Sequence, residues 1–171
     1  MTATAAPTTV LGPNDGRAVQ IGALGARFMV DSATAGGGFS LVEHPLGPRA
    51  LGAPMHTHQN EDEYSYVLEG RVGIQVGDEV VVAEPGDLVI KPRGIAHAFW
   101  NPTDEPARLL EIISPGGFEK YFEELAPLMP PQRPAPDIPA MVALQARYGV
   151  TSDFESIGRL AAEHGLDVPG V

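Results

Sequence analysis

The sequence contains no cysteine. Disulfides and thiolate metal sites are therefore excluded, and a cytoplasmic home is the default expectation. Positive charge is also scarce: 11 Lys and Arg stand against 22 Asp and Glu, for a formal net charge of -11. No local cluster of basic residues offsets that balance. A surface of this sign repels phosphate backbones and anionic lipid, so neither nucleic acid nor a membrane is an expected partner. No apolar run reaches membrane-spanning length. The opening stretch, "MTATAAPTTVLGPNDG", lacks the basic start and apolar core of a secretory signal and reads as a loose tail.

Helical periodicity is missing between residues 28 and 114. That span instead holds short runs rich in Val, Ile, Leu and aromatics, among them "RFMV", "YSYVLE", "RVGIQV", "EVVVAE", "HAFW" and "RLLEII". Turn formers such as Gly77 with Asp78, and Pro85 with Gly86, lie between them. Short runs with such regular punctuation predict an all-β antiparallel sandwich or barrel. Beyond Gly117 the pattern changes. Phe118, Tyr121, Phe122 and Leu125 recur at helical spacing, and Pro127, Pro130 and Pro131 close that helix. A proline-rich connector runs to about Pro136. Two further helices are expected over 137–149 and 151–165, each with a capping residue and a terminal glycine. A chain of 171 residues suits one domain. Its expected parts are a flexible tail over 1–18, a barrel over 19–116, and a helical extension over 117–171 packed on the barrel or on a dimer partner.

The densest chemistry lies in "PMHTHQNEDEYSYVLEG", residues 54–70. Residues two apart on a strand point to the same face, roughly 6.5 Å from one another. His56 and His58 can therefore converge on one ion through bonds of about 2 Å. Glu63 follows a four-residue turn, so it can lie on the next antiparallel strand and face the same side. Ser65 and Val67 would share that inward parity, while Tyr64, Tyr66 and Trp100 would face outward. A fourth ligand has to come from elsewhere, and His97 in "GDLVIKPRGIAHAFWN" is the candidate.

These residues resemble the two motifs of the cupin family, G(X)5HXH(X)3-4E(X)6G and G(X)5PXG(X)2H(X)3N. The second is matched at Gly86, Pro92, Gly94, His97 and Asn101. The first is matched at His56, His58, Glu63 and Gly70, and departs at its leading glycine, where this sequence has Ala50. That resemblance implies a cupin double-stranded β-helix, or jelly-roll barrel, followed here by the C-terminal α-helices. It also implies one divalent transition metal ion per chain, held inside the barrel by His56, His58, Glu63 and His97. Imidazole and carboxylate ligands suit Fe, Mn, Ni, Co, Cu or Zn alike. The glycines and Pro92 are expected to form turns, and Asn101 to tie down a strand end. His44 and His164 fall outside the motifs and are expected to be surface or packing residues.

Residues from about 20 to 150 further resemble bacterial single-domain cupins of the quercetinase-like type. In that group a metal chelates a flavonol-type enolate and dioxygen cleaves the ring. The resemblance implies that Glu63 is both metal ligand and catalytic base for a small-molecule substrate. Strand parity puts Phe99 and Ser65 on the wall of the substrate pocket. Ser65 has two readings, one in which its hydroxyl orients a substrate and one in which it bonds the barrel wall. Three functions follow: a metal-dependent dioxygenase, a non-oxidative metal enzyme (isomerase, cyclase, epimerase or decarboxylase), and a small-molecule-binding module without turnover. A homodimer formed through an edge strand and the terminal segments is also expected.

Overall fold

In the computed structural model, residues 9–129 and 137–168 are described. Most of the expected tail's first half and the proline-rich connector lie outside these residues. Among the described residues, eleven strands and three helices occur in the order β1 (Arg17–Ile21), β2 (Leu24–Val30), β3 (Ser40–Leu46), β4 (Leu51–His58), β5 (Asp62–Glu69), β6 (Val72–Val76), β7 (Glu79–Ala83), β8 (Leu88–Lys91), β9 (His97–Trp100), β10 (Ala107–Ser114), α1 (Glu119–Leu125), α2 (Ile138–Tyr148), β11 (Val150–Asp153) and α3 (Ser156–His164). A short 3₁₀ turn, Ala126–Leu128, closes α1 with Pro127 in it. The strands form two antiparallel sheets, ordered β1-β2-β3-β10-β5-β8 and β11-β4-β9-β6-β7. They face one another as a cupin-type sandwich, with their apolar sides turned inward.

Alternation explains most of the packing. Along β10 every second residue is buried, from Ala107 through Leu109 and Glu111 to Ile113. In β5 the buried set is Glu63, Ser65 and Val67, as their parity predicts. β9 is buried on both faces. Its Phe99 packs into the barrel with Leu46, Val67, Ile74 and Leu109. Trp100 points the other way, against Leu160, Ala161 and Leu166 of the α3 region, where the His164 ring stacks on it at 4.1 Å. Gly70 begins the β5–β6 turn with φ +70°, and a Cβ there would lie 2.5 Å from the Pro106 carbonyl oxygen. Asn101 is fully buried; its amide donates to the Gly47 and Glu105 carbonyls, and its side-chain oxygen accepts from the Thr103 N–H. It fastens the β9–β10 loop as expected.

Three local expectations change. The first strand starts at Arg17, inside the segment read as tail. The segment expected to be one helix over 151–165 is a strand followed by a shorter helix. Val150, Thr151, Ser152 and Asp153 pair with His58, Thr57, His56 and Met55, covering the free edge of β4. An open edge far away in sequence outweighs the local helical pattern, because pairing satisfies backbone groups that would otherwise face water. Finally, β5 does not lie beside β4: the two strands belong to opposite sheets. Among the described residues, no helix is long and apolar enough to cross a membrane.

Candidate metal centre

Because β4 and β5 sit in different sheets, Glu63 reaches the histidines from across the barrel rather than from an adjacent strand. His56 and His97 are paired residues on β4 and β9, with ring centroids 4.3 Å apart. The His58 ring lies 5.1 Å from His56 and 5.5 Å from His97. Each of His56, His58, Glu63 and His97 offers one ligand atom, and all four atoms lie within 4.8 Å of one another. His58, Glu63 and His97 are buried, while His56 is half-buried. The His56 ring borders an open cavity of about 420 Å³ lined by Thr57, Gln75, Ala96 and Arg159 among others.

Second partners fix the imidazoles. Nδ1 of His56 lies 2.8 Å from the Pro54 carbonyl, and Nδ1 of His97 lies 3.1 Å from the Ile95 carbonyl. Nδ1 of His58 faces a Glu61 carboxylate oxygen at 3.4 Å. A carbonyl or carboxylate can only accept, so each Nδ1 is the donor and each Nε2 keeps its lone pair. Metal-binding histidines are oriented in this way. The residues fit a cation on two further counts. His58 Nε2 is buried without a hydrogen-bond partner among the described residues. His97 Nε2 faces Glu63 Oε2 at 3.1 Å, which sets two acceptors against each other once Nδ1 holds the only proton. A cation bound by the His97 lone pair would remove that repulsion.

The electrostatics favour the neutral ring at His56 and His97. Burial pushes His56 well below its ordinary value, assisted by the neighbouring imidazoles. Burial also lowers His97. At His58 burial opposes the charged form, but Glu63 and Glu61 outweigh it and raise the pKa. Burial would raise Glu63, yet the Lys91 ammonium outweighs it and holds the carboxyl well below the usual carboxylate range.

Lys91 was not among the residues singled out from sequence. Its side chain is 1% exposed, with Nζ 2.9 Å from Glu63 Oε2 and 2.9 Å from Glu111 Oε2. Burial alone would lower its pKa, but the two carboxylates raise it instead, so it is an ammonium. Glu111 is pushed up to about 7 by burial. Ser65 donates to Glu111 Oε2 at 2.8 Å, which places its hydroxyl in a barrel-wall bond. Phe99 lies inward, with the Lys91 ammonium 5.4 Å from its ring centroid. The inward parity of Glu111 between Leu109 and Ile113 was the one sequence signal for this group. His44 is a packing residue: it is buried, its Nδ1 lies 2.8 Å from the Gly25 carbonyl, and burial lowers it to about 4. Over the histidines, Phe118 sets its ring edge-on to His58 at 4.4 Å.

The cupin-domain family model matches residues 43–113, the span that carries all four ligand candidates. The barrel has the cupin-type fold. Over 87 residues the chain is 29% identical to "Probable oxidoreductase virH" of Hypocrea virens, covering 48% of this chain and 40% of that protein. Over 97 residues it is 33% identical to a gentisate 1,2-dioxygenase of a Streptomyces species, covering 52% of this chain and 26% of that one. The chain thus spans less than half the length of either relative. Among solved structures, a Thermotoga maritima protein described as a predicted oxalate decarboxylase superposes with a TM-score of 0.57. At 18% identity, over 62% of this chain and 98% of that one, this likeness concerns the cupin fold alone.

Proposed function

We propose that this cupin is a metal-dependent dioxygenase of the quercetinase-like type, acting on a small aromatic, flavonol-like or enolisable substrate. The observation that carries this reading is the convergence of three Nε2 lone pairs and one ionised carboxylate inside the barrel. The oxidoreductase and dioxygenase names of its relatives support the reaction class. His56, His58, Glu63 and His97 would hold one divalent transition metal ion. Such an ion supplies Lewis acidity and a template for a chelating oxygen substrate.

The chain's own residues do the rest. Glu63 is kept ionised by Lys91 and is the base that accepts a substrate hydroxyl proton. Phe99 and the Phe118 ring keep water from the inner histidines. Ser65 sets the Glu111 carboxylate through its hydroxyl. Oxygen-electrode assays with a flavonol or a 1,3-diketone test the reading. Uptake is expected in the metal-loaded protein, with loss of about 100-fold or more on chelation and in Glu63→Gln, the range for a general base together with its ligand role. Turnover of the same substrates without oxygen would instead assign the site to non-oxidative chemistry.

The reading includes a homodimer. β7 and β8 are the outer strands of the two sheets, and Val80, Val81, Val82, Leu88 and Ile90 on them are 43–57% exposed. Unpaired edges with apolar faces are ready templates for a second copy. Light scattering is expected to give twice the 18.0 kDa chain mass, falling to that value in Val81→Lys. A wild-type monomer would remove this part of the proposal.

A further inference from the structure

Lys91 is buried between two carboxylates, and strand register explains how. It pairs with Glu63 across β5 and β8. Glu111 pairs with Ser65, the next inward residue along β5. All three charged groups therefore meet in the barrel interior, where an unpaired charge would be costly. An ammonium has three donors and no lone pair, so it cannot itself bind a metal. What it does is occupy Glu63 Oε2 at 2.9 Å. The other oxygen, Oε1, faces His58 Nε2 at 3.6 Å, beyond hydrogen-bond range. Glu111 in turn anchors the ammonium at 2.9 Å and is itself held by Ser65. The two oxygens of the ligand carboxylate are thereby made unequal.

We infer that Lys91 is a positioning residue of the metal centre. Anchored on Glu111, it holds Glu63 Oε2 and leaves Oε1 as the oxygen offered to the ion. A carboxylate restricted to one oxygen leaves more of the ion's coordination open to an incoming oxygen ligand. This inference rests on the metal reading above. Lys91, Glu111 and Ser65 thereby share a role that the ligand motifs do not contain.

Cobalt(II) tests it without any substrate, because its visible absorption weakens as coordination number rises. Wild type, Lys91→Met and the double variant Lys91→Met/Glu111→Gln are each loaded with Co(II). The double variant removes Lys91 and Glu111 together, so Glu111 is not left as a buried carboxylate without its ammonium if the single variant folds poorly. Wild type is expected to bind one Co(II) per chain. Both variants are expected to retain stoichiometric cobalt, with visible bands at least twofold weaker as Glu63 engages through both oxygens. Bands of unchanged intensity in a folded, cobalt-loaded variant would overturn the role of Lys91 and leave the metal centre standing. A wild-type protein that takes up no cobalt would overturn the metal reading, and this inference with it.

Discussion

His97→Ala is expected to leave a folded barrel that no longer retains its ion. Structural zinc in zinc-finger peptides, a four-ligand reference, contributes about 10–16 kcal/mol of apparent binding free energy. A quarter of that corresponds to a loss in affinity of about two to three orders of magnitude. The loss falls on metal rather than on fold for a reason visible at Glu63. In the absence of a cation, the His97 Nε2 lone pair faces Glu63 Oε2 at 3.1 Å. Removing the ring removes that repulsion along with its packing, so stability should fall by no more than about 1–3 kcal/mol. The measurement is metal analysis of wild type and variant purified side by side without added metal. Equal, stoichiometric metal in both would end the assignment of His97 as a ligand.

The second large effect is on stability and comes from Phe118→Ala. This ring is 3% exposed and stands edge-on to His58 at 4.4 Å. It also stacks on Tyr121 at 4.8 Å and meets Phe122 edge-on at 5.4 Å. Through these contacts α1 is attached to the end of the barrel that holds the histidines. Truncating a buried Phe costs about 3–5 kcal/mol, which for a chain of this length lowers the melting temperature by about 10 °C. Phe118 carries no ligand atom, so the metal stoichiometry should be unchanged while a chelator strips the ion faster. A melting temperature within about 2 °C of wild type would show that the aromatic cluster does not secure α1.

These two variants separate what could be read along the chain from what could not. His56 and His58 were legible because a strand repeats every two residues and the pair shares one face. Ser65 and Val67 followed by the same parity. His97 was legible only through its motif, since nothing local connects it to a residue 41 positions earlier. Sheet membership was not legible. The spacing of His58 and Glu63 allows an adjacent hairpin as readily as a crossing between sheets, and the chain takes the crossing. Strand β11 escaped for a related reason. Its Thr-Ser-Asp sequence resembles a helix start, and only the open edge of β4 makes it a strand.

Short-range periodicity and two spaced motifs were enough to predict a barrel of antiparallel strands and the four side chains gathered inside it. The tertiary structure alone decided that Glu63 faces the histidines from the opposite sheet, and that Lys91 and Glu111 stand behind it. The physical reason is that parity tells which face a side chain takes but not which strand lies next to it. Neighbours are chosen by long-range pairing and burial. A charged residue in an apolar strand gains its partner only when the sheets close.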